Sequence, residues 1–319
     1  MRIKVGTFNL NNLFSRYNFK ASISAIKKGT TVEYTFGKDD LFKIKNFRGQ
    51  LIKPKKEVET FEIAQRIKAL DIDILAVQEV ENIDILKKFN KDFLNGAGYK
   101  YNILIEGNDP RFIDVGLLSR YPIGAITSWQ EKRFGNASNK IFSRDLLQVE
   151  ILNPSGTRKL FTLFNTHLKS HFVDNQSTDP EGDARKSNEK RRKQSAAIAE
   201  IIKDQTRPNS SFILLGDMND DIEAAPLAEF INDPELNLFN ALQNMVEIGE
   251  MNRTKYPPDD HFWTHRFNRA AGIYEYKLYD QIWISQALVD NLRGAWVGRR
   301  EKVGGNGSDH DPVWIDLEL

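Results

Sequence analysis

Cysteine is absent from this 319-residue chain, which removes disulfides, a thiolate nucleophile and Cys-ligated zinc or iron–sulfur clusters from consideration. Any metal must be held by carboxylate, amide or imidazole groups. Neither sign of charge is in excess: 45 Lys and Arg against 44 Asp and Glu leave a net +1. Attraction to a polyanion must therefore come from local patches rather than a global field. No apolar run approaches the roughly 18 residues of a membrane span. The opening "MRIKVGTFNL" has no basic segment followed by an apolar core, so it reads as a strand and not as a signal peptide. The expectation is a cytoplasmic protein, or a secreted or periplasmic one if a leader was removed. Also missing are a Walker A loop, a dinucleotide fingerprint, G-x-S-x-G and H-E-x-x-H, which withdraws support from P-loop hydrolases and zincins.

What is present is a series of short β-rich apolar runs: 2–10, 73–80, 115–123, 146–152, 159–168, 211–219, 279–285 and 312–319. Some alternate as half-buried strands do, and others are nearly continuous, as strands covered on both faces are. Two amphipathic helices stand out. Ile63, Ile67 and Leu70 share a face in 57–70, and Gln194, Ile198, Ile201 and Ile202 do so in 190–205. Many strands with few helices between them predict packed sheets with helices outside. With no internal repeat and no low-complexity linker, a single domain over 1–319 is expected.

Residues 20–56 differ in character, with ten Lys or Arg against three acids. In "LFKIKNF", Phe42 and Ile44 alternate with Lys43 and Lys45, predicting an extended element with one apolar and one basic face. This basic insertion is either a solvated surface segment or a functional arm.

Polar residues recur at strand ends. Asn9 follows "VGTF", Gln78 and Glu79 follow "ILAV", and His167 follows "FNT". Asp217 and Asn219 follow "ILLG", Asp280 opens "QIWIS", and Asp309 and His310 precede "PVWI". Each alone is an ordinary turn former or cap. Together, on the common rim that strand ends make, they are a set suited to hard metals and phosphate.

The motifs in order are "TFNLNN", "LAVQEV", "VGLLSRYPI", "NTHLKS", R-x-x-Q at Arg191 and Gln194, "GDMND", "YDQIWIS" and "GSDHDPV". This order, spanning almost the whole chain, resembles the endonuclease/exonuclease/phosphatase superfamily, the deoxyribonuclease I-like proteins. The resemblance implies an α/β four-layer sandwich, two face-to-face mixed β-sheets flanked by helices, and metal-dependent phosphoester hydrolysis. It implies Glu79 as principal Mg²⁺ ligand, with Asn9 and Asp309, Mn²⁺ or Ca²⁺ being alternatives. By the same resemblance His310, held by Asp280, is the base or phosphate-polarising imidazole. Asp217 and Asn219 orient water and phosphate, and His167 protonates the leaving oxygen, with Asp114 a candidate to orient it. Lys169, Arg191 and Arg144 are placed near the phosphate. A histidine in "NTHL" is similar to the branch holding deoxyribonuclease I, sphingomyelinases and bacterial extracellular-type nucleases.

The expected substrate is nucleic acid, DNA first and RNA second, with "EKRRK" (189–193) and "GRREK" (298–302) as added basic surface. The alternatives are a sphingomyelinase-like lipid phosphodiesterase, with Phe36, Leu41, Phe42 and Phe47 dipping into a membrane, or a small-molecule phosphatase. A non-catalytic binding module is disfavoured by the intact set. Asp311 reads as a turn or surface residue. In "HFWTHRF", His261 and His265 lie four apart, but with no third ligand motif an aromatic or substrate-facing loop is favoured over a zinc pair.

Overall fold

The computed structural model describes residues 1–14, 55–109, 111–135, 138–171, 177–248, 262–270, 273–300 and 307–319. The basic insertion falls almost wholly outside these residues, as do Phe36, Leu41, Phe42, Phe47 and His261.

The strands assort into two mixed sheets. The first has seven strands in the order β10 (Val246–Ile248), β14 (Leu292–Gly298), β15 (Val313–Glu318), β1 (Arg2–Leu13), β2 (Ile74–Val80), β4 (Asp114–Ser119) and β3 (Tyr101–Leu104). The second has six: β5 (Ile123–Ser128), β6 (Leu146–Leu152), β7 (Lys159–His167), β8 (Phe212–Asp217), β13 (Asp280–Ser285) and β9 (Leu238–Asn240). The C-terminal strand β15 pairs antiparallel with β1 from Arg2↔Glu318 to Thr7↔Val313, so the chain closes on itself at the centre of the first sheet. A separate ribbon pairs β11 (His265–Ala270) with β12 (Ile273–Lys277).

Three buried clusters define the layers. Ile3, Val5, Ile74, Ala76 and Ile315 from one sheet meet Val149, Leu163, Ile213, Leu215 and Ile282 from the other. On the outer face of the first sheet, Phe8, Leu75 and Val77 pack with Ile63 and Ile67 of α1 (Glu57–Leu70) and Leu86 and Phe89 of α2 (Ile83–Asp92). Outside the second sheet, Phe164 and Leu214 pack on Ile198, Ile201 and Ile202 of α3 (Pro180–Gln205). Successive residues of a strand point to opposite faces, so strands covered on both sides must be apolar throughout, as 74–77 and 212–215 are. Each such side chain contributes about 1.5–3 kcal/mol on burial. The result is the expected four-layer α/β sandwich.

α3 starts at Pro180 rather than at Lys190, where apolar periodicity begins. Asp179 accepts the Gly182 N–H at 2.9 Å and Pro180 occupies the first turn, which together start a helix without any apolar face. No helix among the described residues is long and apolar enough to cross a membrane.

A polar seam interrupts the core between the sheets. Gln78 Nε2 donates to Thr7 Oγ1 at 2.9 Å and to Asn165 Oδ1 at 2.8 Å, and Asn165 Nδ2 donates to the Gly116 carbonyl at 2.8 Å. All three side chains are fully buried. Directional bonds here fix how one sheet lies over the other, which apolar contact alone leaves loose.

Gly216 adopts φ +137°, and a Cβ there would run into the Thr166 carbonyl of the neighbouring strand. This kink delivers Asp217 to the rim. Gly216→Ala is expected to lower stability by on the order of 2–3 kcal/mol, measured as a lower urea midpoint with an unchanged slope.

Candidate active site

The rim forms where β1, β2, β7, β8 and β13 end beside the turn that leads into β15. Asp217, 1% exposed, is its hub. Its Oδ2 accepts from Asn9 Nδ2 at 2.9 Å and lies 3.4 Å from His167 Nε2 and 3.8 Å from His310 Nε2. Its Oδ1 accepts the Asn219 N–H at 2.9 Å, an arrangement made by Asn219 at φ 53°. Asn219 Nδ2 donates to the Leu168 carbonyl at 3.2 Å.

The two imidazoles differ in environment. His310 Nδ1 lies 2.6 Å from Asp280 Oδ2, and the Asp280 N–H is held by Thr264 Oγ1 at 3.0 Å. Burial opposes charge on His310, but Asp280, Asp217 and Asp309 outweigh it and hold the ring up at about 10. The ring is a cation at neutral pH. His167 is held well below the ordinary histidine value, by burial first and then by Arg144 and Arg111. It is therefore neutral. Asp114 does not orient it: Asp114 Oδ1 accepts the Gly107 N–H at 2.8 Å, and His167 Nδ1 is buried with no hydrogen-bond partner.

Glu79 takes a left-handed backbone, φ 60°, at the end of β2. Its Oε2 accepts the Asn12 N–H at 3.0 Å, and its Oε1 is 4.0 Å from His167 Nε2. A left-handed glutamate is strained, and such strain gathers where a side chain must be aimed. Burial, then Asp309, pushes the Glu79 carboxyl up. Oxygens that repel one another in this way suit a cation between them, and Glu79, Asp309 and Asn9 Oδ1 are an all-oxygen donor set fit for a hard divalent ion.

The basic residues divide. Arg144 is fully buried, 3.1 Å from Asp109 Oδ2 and donating to the Leu168 carbonyl at 3.1 Å. Arg191 is also buried, donating to Asp220 at 3.0 Å, to the Lys169 carbonyl at 2.6 Å and to Asn188, with His171 Nδ1 at 3.1 Å. Both brace the loop after β7, as does Gln194, whose Oε1 accepts the Lys169 N–H at 2.8 Å. Lys169 is only partly buried; burial, then Arg144 and Arg111, brings its ammonium down to about 8. A cavity of about 690 Å³ beside α3 is lined by Lys140, Lys186, Lys190, Lys193 and Glu189 over Phe134 and Phe142.

Two expectations are corrected. Asp311 is fully buried, not a surface turn residue, because three arginines surround it: Arg66 Nη2 at 2.9 Å, Arg300 Nε at 3.2 Å and Arg299 Nη1 at 3.3 Å. Arg299 and Arg300 are accordingly 5% and 3% exposed and add nothing to a basic surface. The same side chains grip the turn before β15: Arg300 donates to the carbonyls of Ser308 and Asp309, and Arg66 to that of His310. Arg299 also stacks on Trp263, 4.0 Å from the ring centre.

Sequence reasoning missed this cluster and a ring ladder. His171, Tyr279, His265 and His310 follow one another with centroids 5.8, 5.2 and 4.6 Å apart. No local spacing in the sequence ties Tyr279 to any of the three histidines.

Asp311→Asn leaves three buried or nearly buried guanidiniums without their carboxylate. A loss of about 3–5 kcal/mol is expected, read by chemical denaturation; a change below about 1 kcal/mol would show that the arginines are held by other groups.

A family profile described as "Endonuclease/Exonuclease/phosphatase family" matches residues 54–318. No curated protein sequence matches the chain. Among solved structures, the fold is similar to a mannosyl-6-phosphatase from Bacteroides thetaiotaomicron, with TM-score 0.58, 16% identity and 99% of this chain and 100% of that one covered. It is similar to an AP endonuclease from Archaeoglobus fulgidus, with TM-score 0.58, 15% identity and the same coverage. It is also similar to D. rerio TDP2 complexed with a single-strand DNA product, with TM-score 0.58, 15% identity and 100% and 99% covered. The profile covers well over half of the chain, from residue 54 to residue 318: the chain belongs to the endonuclease/exonuclease/phosphatase family of hydrolases.

Proposed function

We propose that this protein is a divalent-metal-dependent phosphodiesterase that cleaves nucleic acid, DNA before RNA. The observation that carries the reading is the pair of imidazoles, His167 and His310, whose Nε2 atoms lie 3.4 and 3.8 Å from one Asp217 oxygen while their surroundings push the first below and the second above the ordinary histidine value. Two groups whose surroundings push their proton affinities apart are what general acid–base catalysis requires.

In this reading Glu79, Asn9 and Asp309 hold Mg²⁺, with Mn²⁺ or Ca²⁺ as alternatives. When bound, the ion supplies charge neutralisation at the scissile phosphate. The remaining work falls to the chain. Charged His310, fixed by Asp280, donates a hydrogen bond to a non-bridging phosphate oxygen and so favours the charge that develops there. Asp217 and Asn219 orient the attacking water, and Asp217 Oδ2 accepts its proton. His167 Nε2, 3.4 Å from Asp217 Oδ2, takes that proton and gives it to the leaving oxygen, which returns Asp217 to its carboxylate form. Lys169 contacts a phosphate, while Arg144 and Arg191 act through their field and by bracing its loop.

Nucleic acid is favoured because the cavity along α3 holds four lysines, of which Lys140, Lys186 and Lys193 pair with Glu131, Asp183 and Glu189, and a second phosphate on a polymer would compete for these lysines and meet Lys190. The structural relatives include an AP endonuclease and a protein bound to a DNA product, but also a sugar phosphatase. Val58 and Phe61 are 60% and 53% exposed at the start of α1, beside Lys55, which donates to the Gly307 carbonyl at 2.6 Å. They are the feature that favours the second reading, a lipid phosphodiesterase.

The deciding experiment offers plasmid, single-stranded DNA, RNA and sphingomyelin with Mg²⁺, Mn²⁺ or EDTA. Plasmid nicking that EDTA stops and His310→Ala lowers by at least about a thousandfold is expected, with the fold intact by circular dichroism. Lipid turnover with intact nucleic acid would move the assignment to the second reading, and retained nicking by His310→Ala would remove His310 from the chemistry. Glu79→Gln is expected to raise the Mg²⁺ concentration for half-maximal activity by about tenfold or more; an unchanged titration would remove Glu79 from the metal.

A further inference from the structure

We propose that His265, Asp309 and His310 form a site for a borderline transition-metal ion such as Zn²⁺, and that filling it stops hydrolysis by taking the catalytic imidazole. The inhibitory half rests on the function proposed above; the binding half does not.

One ligand atom from each of the three residues lies within 4.8 Å of the others. His265 Nε2 is 3.5 Å from Asp309 Oδ2, and the His265 and His310 rings are 4.6 Å apart at 46°. Metal–ligand bonds of about 2.0–2.2 Å put neighbouring ligand atoms a little over 3 Å apart, so small side-chain rotations bring these three onto one ion. The backbone already joins them, since His265 and His310 form an isolated antiparallel bridge.

The surroundings suit a ligand role. A metal-bound histidine usually gives its other ring N–H to a carboxylate, which fixes the tautomer. His310 does so through Nδ1 to Asp280 at 2.6 Å, and its Nε2 takes the ion by releasing its proton to solvent. The His265 side chain is 12% exposed, and its Nε2 is directed at Asp309, which is 49% exposed and so reachable from solvent. Two nitrogens and one carboxylate oxygen with an open fourth position are a zinc-type set, whereas Mg²⁺ prefers oxygen alone. The sequence favoured an aromatic or substrate-facing loop over a zinc pair of His261 and His265, and His261 lies outside the described residues. The second and third ligands of the proposed site come from the far end of the chain.

Sharing Asp309 and His310 couples the site to turnover. His310 Nε2 cannot hold zinc and donate to phosphate at once, and Asp309 would be drawn from the oxygen set around Glu79. Zn²⁺ then lowers the rate without occupying the Mg²⁺ position, and His265 is the one ligand of the three that the proposed chemistry does not use.

The test compares the wild-type protein with His265→Gln. Titration calorimetry of metal-stripped protein with Zn²⁺ is expected to give one site, weakened about tenfold or more in the variant. Co²⁺ as a spectroscopic stand-in is expected to give visible d–d bands in the wild type that the variant loses. In the Mg²⁺-supported reaction, the inhibitory Zn²⁺ concentration should rise by the same factor in His265→Gln, with the zinc-free rate within about twofold. Equal Zn²⁺ affinity and equal Co²⁺ spectra would overturn the site. Equal inhibition despite weakened binding would overturn the coupling. Should no phosphoester be turned over, the functional reading fails while calorimetry and the Co²⁺ spectrum still decide the metal site.

Discussion

Asp217 is the constraint on which the rim depends. Its two carboxylate oxygens meet Asn9 of β1, His167 of β7, Asn219 beyond β8 and His310 before β15. Those groups come from both sheets. Sliding one sheet over the other by about 1 Å would take the 2.9 Å Asn9 bond out of range and leave a buried carboxylate short of partners. The penalty for an unpaired buried polar group is about 1–3 kcal/mol, more when it is charged. Apolar contacts between the sheets supply most of the stability, but they are non-directional. The polar seam of Thr7, Gln78 and Asn165, together with Asp217, supplies the direction.

The arginine cluster around Asp311 does the corresponding work for the C-terminal turn. Replacing buried ions by apolar groups is often neutral or stabilising, so stability alone does not account for three arginines on one aspartate. What an apolar cluster lacks is donors. Arg300 and Arg66 bind the Ser308, Asp309 and His310 carbonyls while their charge is balanced by the next residue along. The turn that presents Asp309 and His310 is thus fixed at every peptide, and a site held this closely needs little reorganisation when it acts.

How much of this the sequence revealed follows from how local each signal is. Strands such as 74–77 were legible because burial on both faces writes an apolar run into adjacent positions. The rim was legible because a polar residue at the end of such a run stands out, and Asn9, Glu79, His167, Asp217, Asp280 and His310 do converge. Asp311 was misread because its partner Arg66 lies 245 positions away; a short Asp after His310 carries no mark of burial. Arg299 and Arg300 read as surface charge because their shared partner Asp311, 12 and 11 positions on, leaves no periodic mark. The start of α3 was missed because 180–189 has no apolar period, and its helix follows from a cap and a proline rather than from packing.

The placement of charge explains why two histidines so close to one carboxylate differ. His167 lies toward Arg144, Arg111 and Lys169, and, once buried, cannot take a further positive charge. His310 lies toward Asp280, Asp217 and Asp309, whose attraction exceeds the cost of its burial. The field therefore runs across the rim, positive beside α3 and negative beside Glu79 and Asp309. Asp217 sits where the two sides of that field meet. Exchanging the two environments would keep every side chain and lose the arrangement. The chemistry of this rim is thus set less by which residues are present than by which charges stand behind each of them.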